Sequence, residues 1–138
     1  DRISMKERIK EILNQYSDRL IFLDHVEGSK KFEIIKNSEF VISPSIWENF
    51  PYTCLESLAL GKAIIATRKT GFEEIIRSEL SGILVNPDSV MQLNKEIIRL
   101  LSDKALRQKI EKNALVQIKK FDSEKISVRT IECYEKIC

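Results

Sequence analysis

The sequence predicts an α/β fold, with a parallel, Rossmann-like sheet covered by helices on both faces. Three observations predict it. Short apolar runs that suit strands buried on both sides, EFVISPS, KAIIAT and GILVN, alternate with segments of helical period. Strands separated by helical segments need right-handed crossovers, which place helices over the sheet. The 138 residues contain no Gly/Ser-rich linker, repeat or low-complexity tract, so residues 1–138 are expected to form a single domain.

Each element has its own signal. SMKERIKEILNQY puts Met5, Ile9, Ile12, Leu13 and Tyr16 on one helical face, and Ser4 with Glu7 has capping-box spacing. RLIFLDHV reads as a short strand and Ser29 to Asn37 as a brief helix. After EFVISPS, YTCLESLALG reads as a helix, with Pro51 at its first position and Gly61 at its C′ position. GFEEII is a short helix between KAIIAT and GILVN. Ser89 and Gln92 open a helix expected to turn Val90, Leu93, Ile97 and Leu101 inward. Asp103 to Phe121 repeats the pattern with Leu106, Ile110, Ala114, Ile118 and Phe121, and a last helix spans Ser123 to Cys138.

Composition narrows the function classes. The 23 basic and 21 acidic residues leave a net charge of +2, which creates no field that would demand nucleic acid or a membrane. No apolar run approaches the roughly 20 residues of a bilayer span, so direct membrane insertion is not expected. Cys54, Cys133 and Cys138 are scattered, which favours reduced thiols and a cytoplasmic setting. With one His and no CxxC, a metal site is not expected. With Asp1 and not Met in first place, the chain is expected to be a fragment or a processed product.

WENFPYTCLE is the segment that points to chemistry. It lies between a strand and a helix, and α/β sheets bind ligands beyond the carboxyl ends of their strands. The helix start would present backbone N–H groups of Tyr52, Thr53 and Cys54 to an anion such as a phosphate. Glu48 and Glu56 flank that start with seven residues between them. Carboxylates beside an anion site are useful where they accept charge-assisted hydrogen bonds from neutral hydroxyls of the same ligand. Ribose, diphosphate and hexose in series would match this order. On spacing alone, two solvated surface glutamates are the simpler reading.

PSIWENFPYTCLESLALGKAIIAT resembles the signature of the family-4 retaining glycosyltransferases, in the C-terminal domain of the GT-B fold. The E-x7-E motif falls on Glu48 and Glu56. GKAIIAT, the turn with Gly71 and Glu74 in GFEEII, GILVNPDS, Asn113-Ala114, Phe121 and Tyr134 follow in the family's order. The resemblance covers residues 9 to 138. It implies an enzyme that transfers a hexose from a nucleotide diphosphate sugar to a glycan or lipid-linked acceptor, with retention and without a metal or other cofactor. The ENFP variant is most similar to enzymes of bacterial surface-polysaccharide assembly. Carried over by position, Glu56 would take the donor's ribose hydroxyls. Glu48 would hold the transferred sugar and steady charge at its anomeric carbon, as the catalytic residue. The backbone of Asn49, Phe50 and Tyr52 would contact the sugar, and the helix start at Thr53 the diphosphate.

Departures from the pattern carry expectations of their own. Asn49-Phe50-Pro51 replaces the frequent Gly-Phe-Gly, and Pro51 has no N–H to offer. Thr70-Gly71 stands for Gly-Gly. The family's Arg and Lys for the diphosphate, and its N-terminal acceptor domain, have no counterpart in the sequence. The chain is therefore expected to be inactive alone, partnered by that domain, which would also hold it at the inner face of the membrane. A nucleotide-sugar epimerase of the same fold, or a flavodoxin-like binding module, remains an alternative. Outside the motif, His25 reads as structural or solvent-facing, and Lys109, Lys112, Lys119 and Lys120 read as solvated. Trp47 and Cys54 read as packed, and Glu74 as a structural support of its turn.

Overall fold

A computed structural model describes residues 4–137, which fall into two compact units divided after Lys31. In the first unit, helix α1 spans Met5–Ile12, followed by a 3-10 turn over Asn14–Arg19. The Ser4–Glu7 capping box closes in both directions, at 3.2 and 2.9 Å. Of the expected apolar face, Ile9 and Leu13 are half-buried, while Met5, Ile12 and Tyr16 are exposed.

RLIFLDHV is not a strand. It is irregular, with Leu20, Phe22 and Val26 half-buried and Ile21, Leu23 and His25 exposed. The side chains alternate as in a strand, but a strand exists only through hydrogen bonds to a neighbour. Among the described residues no segment pairs with this one.

Helix α2, Gly28–Asn37, leads to a three-stranded parallel sheet of β1 (Val41–Ser43), β2 (Ile64–Thr67) and β3 (Ile83–Val85), in that order. Helix α3 (Tyr52–Ala59) crosses from β1 to β2, and α4 (Phe72–Ile75) from β2 to β3. Helices α5 (Val90–Ser102), α6 (Lys104–Gln117) and α7 (Ser123–Glu135) complete the chain, with a 3-10 turn at Ile118–Phe121. β2 and β3 are buried along their whole length. Ile64 and Ala66 join Leu58, Phe72 and Ile75 on one side, whereas Ile65 joins Leu100 and Ile110 on the other. Helices on both faces explain why the strand sequences are apolar throughout.

The ends of these elements follow from particular residues. Helix α3 stops at Gly61, whose φ of +64° is the left-handed conformation glycine adopts without a Cβ penalty. Its N–H donates to the Leu58 carbonyl and that of Lys62 to the Ser57 carbonyl, so the last turn closes as a Schellman motif. Pro51 is the N-cap of α3 and not its first helical residue; its ψ of 110° is extended. In α5 the inward stripe is Leu93, Glu96, Ile97 and Leu100, and Val90 and Leu101 face outward. The buried Glu96 shifts the stripe by pairing at 3.0 Å with Arg99, which also reaches Glu79 at 2.8 Å. Those two carboxylates, Glu79 first, raise the Arg99 guanidinium above its usual range. Gln117 on α6 donates to the Ile75 carbonyl at 2.9 Å, in a buried bond that ties α6 to the end of α4.

Candidate functional site

The residues singled out in the sequence lie on the loop from β1 to α3 and on the first turns of α3. Ser43 ends β1 at the carboxyl edge of the sheet, and the chain then runs exposed through Ile46 and Trp47. Trp47 is 83% exposed, so it does not pack against the sheet. It lies in the loop between β1 and α3, outside the core. Glu48 is half-buried, Asn49 is exposed, and Phe50 is 40% exposed. Phe50 packs at tilted angles against Phe121, at 6.1 Å, and edge-on to Tyr52, at 6.5 Å.

What fixes this loop comes from a different part of the chain. The N–H of Gly71, in the turn after β2, donates to the carbonyl of Glu48 at 2.8 Å. A Cβ on Gly71 would sit 1.7 Å from the Asn49 carbonyl oxygen and 2.3 Å from its carbon. Backbone therefore lies directly on backbone at this point, and only glycine fits. Thr70 stiffens the same turn by donating to the Thr67 carbonyl at 3.0 Å and accepting from the Phe72 N–H at 3.3 Å.

Glu48 and Asn49 share a concavity of about 200 Å³ with Ile46, Trp47, Lys69 and Thr70. Glu56, half-buried on α3, lines another of about 340 Å³ with Phe32, Leu55, Ala59, Ile118 and Phe121. The two glutamates thus border different hollows. A further hollow of about 160 Å³ lies at the strand ends, lined by Pro44, Thr67, Val85, Asn86, Ser89 and Leu93 among others. Among the described residues there is no cluster of potential metal ligands, and no helix is long and apolar enough to cross a membrane.

At the start of α3, Tyr52 and Thr53 are exposed. The N–H of Cys54 is already used, because it donates to the Pro51 carbonyl at 3.0 Å. The anion-binding groups available there are fewer than the sequence implied. Cys54 itself is fully buried, and burial pushes its thiol up to about 12. Helix position does not lower it, because the thiol sits among Leu58, Phe72 and Ala114. Cys54 is accordingly expected to resist a thiol reagent at neutral pH in the folded protein, while exposed Cys133 reacts at once. The folded value lies above the unfolded value of about 8.5. The associated stability is present below pH 8.5 and declines as pH rises from there towards 12. Urea unfolding followed across that range checks it, with a shallower decline expected in Cys54→Ala, which lacks this contribution.

The remaining residues fall as follows. His25 is exposed and meets Glu27 at 2.5 Å. Lys109, Lys112, Lys119 and Lys120 are exposed. Glu74 is exposed, and among the described residues its carboxylate makes neither an ion pair nor a hydrogen bond, so its support of the turn is replaced by Thr70, Gly71 and Gln117. Sequence reasoning passed over Lys69 and the role of Gly71. A lysine at the end of a buried strand, two residues before a glycine, was the available signal.

Comparisons with known proteins agree with this architecture. A crystal structure of the C-terminal domain of a group 1 glycosyl transferase from Francisella tularensis superposes with a TM-score of 0.74 at 28% identity, over 83% of this chain and 60% of that one. Sucrose-phosphate synthase from Thermosynechococcus elongatus gives 0.83 at 25% identity, over 94% of this chain and 33% of that one. Among curated relatives, an α-1,3-N-acetylgalactosaminyltransferase of Campylobacter jejuni, which acts on N,N'-diacetylbacillosaminyl-diphospho-undecaprenol by its name, is 30% identical over 105 residues. That match covers 76% of this chain and 28% of the relative. A glycosyltransferase of Methanocaldococcus jannaschii is 28% identical over 134 residues, covering 95% of this chain and 34% of the relative. The chain thus spans about a third of the length of the curated relatives it matches. The family model for glycosyl transferases group 1 matches residues 3–117, and the chain belongs to that family.

Proposed function

We propose that this chain is the donor-binding half of a retaining glycosyltransferase. It binds a nucleotide diphosphate sugar whose hexose goes to a glycan or lipid-linked acceptor in the assembly of a bacterial surface polysaccharide. The observation that carries this reading is the pair Glu48 and Glu56, on either side of the α3 start, in a chain of this family. The lipid-linked substrate in the name of the Campylobacter relative supports the acceptor class.

In this reading Glu56 accepts the two ribose hydroxyls. Its hollow offers the rings of Phe32 and Phe121 as apolar walls beside the carboxylate. The N–H groups of Tyr52 and Thr53 meet the diphosphate, where the positive end of α3 favours an anion. Glu48 takes hydroxyls of the hexose and opposes positive charge as the anomeric bond breaks, with the backbone of Asn49 and Phe50 beside it. No metal or other cofactor takes part. The acceptor is bound by an N-terminal domain outside these 138 residues, and that domain brings the enzyme to the cytoplasmic face of the membrane. The isolated chain binds donor without transferring it.

Calorimetry against UDP, GDP and ADP sugars tests this. One base is expected to bind, and Glu56→Ala is expected to weaken that donor about tenfold or more, through loss of two charge-assisted bonds. Equal affinity of the variant and the parent would remove Glu56 from the ribose. Transfer by the isolated chain would show that the acceptor site lies within it.

A further inference from the structure

The concavity that holds Glu48 also holds a cation, Lys69. Its backbone has a φ of +60°, a left-handed conformation that residues with side chains rarely adopt. The turn around it is fixed on both sides. Arg68 N–H donates to the Val85 carbonyl at 2.8 Å, and Gly71 N–H to the Glu48 carbonyl at 2.8 Å. Non-glycine residues held in this conformation concentrate at ligand sites, where the surroundings over-determine them.

The two cations of the turn differ in use. Arg68 lies 3.4 Å from the Ser78 hydroxyl and 3.9 Å from Glu73. Lys69 is exposed, and among the described residues its ammonium has neither a hydrogen bond nor an ion pair. The Glu48 carboxylate has none either, although both line the same hollow. Opposite charges that share a small concavity without pairing suit a ligand that satisfies each separately. The carboxylate accepts from hydroxyls, and the ammonium binds an anionic group. At about 200 Å³ the hollow is small beside the roughly 300–1,000 Å³ of a pocket for a drug-sized ligand. It holds one sugar ring and not a whole nucleotide sugar. Tyr52 and Thr53, at the α3 start, do not line it.

We propose that Lys69 makes this chain selective for donors whose transferred sugar carries a carboxylate, a hexuronate-type sugar held by Glu48 through its hydroxyls and by Lys69 through its acid group. The inference rests on the donor-binding reading above. The test measures affinity for matched pairs, UDP-glucose against UDP-glucuronate and GDP-mannose against GDP-mannuronate, on the parent chain and on Lys69→Met, Lys69→Gly, Lys69→Arg and Glu56→Ala. No acceptor is present, so an acid preference can come only from the donor's own sugar.

The acidic member of one pair is expected to bind about tenfold tighter to the parent chain. Lys69→Met should bring the two within about twofold, and Lys69→Arg should keep the preference. Lys69→Gly suits the left-handed backbone and should lose the preference as Lys69→Met does, which assigns the effect to charge. Equal affinity for the acidic and neutral members on the parent chain would overturn the inference while leaving donor binding intact. Equal weakening of both members in Lys69→Met would also overturn it, by assigning the cation to the diphosphate. Failure of every donor to bind, or indifference of all binding to Glu56→Ala, would overturn the donor-binding reading and this inference with it.

Discussion

Gly71→Ala is expected to detach the Glu48 loop from the sheet edge and to abolish whatever that loop binds. The added methyl would lie 1.7 Å from the Asn49 carbonyl oxygen and 3.1 Å from the Phe50 nitrogen. Both obstacles are backbone, so no side-chain rotamer relieves the contact. The loop must move, and the 2.8 Å bond from Gly71 N–H to the Glu48 carbonyl goes with it. Overpacking at a rigid site costs about 1–3 kcal/mol, occasionally more, and a buried hydrogen bond lost in addition adds about 1 kcal/mol. Gly61→Ala is the control. There the three atoms nearest the new methyl, from 3.2 Å, all belong to the flexible Leu115 side chain, and the cost is mainly that of a left-handed φ. Urea unfolding gives the stability term for both. Amide shifts of Glu48, Asn49 and Phe50 separate them: the Gly71 variant moves these resonances and the Gly61 variant does not. Unmoved resonances in Gly71→Ala would show that the loop is held by something else.

The strands that form were legible because burial on both faces leaves only apolar residues to choose from. Ile64, Ile65 and Ala66 are all inaccessible to solvent, and KAIIAT could hardly read otherwise. RLIFLDHV has similar composition and fails as a strand, because composition describes a segment and pairing describes two. The α5 stripe went astray for a related reason. Periodicity assumes that buried means apolar, and Glu96 is buried through its pairing with Arg99. Trp47 is the converse case, a large apolar residue left outside because its loop leaves the sheet edge.

The site was legible as a motif and not as a geometry. Glu48 and Glu56 could be picked out by spacing, position after a strand and resemblance, and they do lie around the start of α3. Their separation into two hollows was not legible, since that depends on Ile118 and Phe121, in the 3-10 turn after α6, closing around Glu56. Nor was the contact of Gly71 with Asn49, which joins residues from different loops. A glycine in sequence announces a turn; what presses against its missing side chain is known only once the loops are in place.

Phe72→Ala is expected to be the most destabilising single change in the core of the second unit. Phe72 is fully buried and belongs to the one core cluster that includes Cys54, Leu58, Ile64, Ile75 and Leu84, drawn from α3, β2, α4 and β3. Removing a buried Phe typically costs about 3–5 kcal/mol, because the neighbours close only partly over the cavity. Marginal stability of about 5–15 kcal/mol makes that a large fraction of the whole. Phe72 also follows Gly71 directly, and its N–H donates to Thr70 Oγ1 at 3.3 Å. The ring therefore anchors the turn that holds the Glu48 loop, and core stability and loop position are coupled through one residue. Phe72→Leu tests the coupling, since it keeps an apolar side chain while leaving a smaller void, at a cost of about 1 kcal/mol or a little more. The expected pattern is a graded fall in the urea midpoint from parent to Leu to Ala, with amide exchange at Gly71 accelerating in the same order. A Gly71 amide that stays equally protected in Phe72→Leu and the parent, despite a lowered midpoint, would show that the turn is held by Thr70 and the strand ends alone.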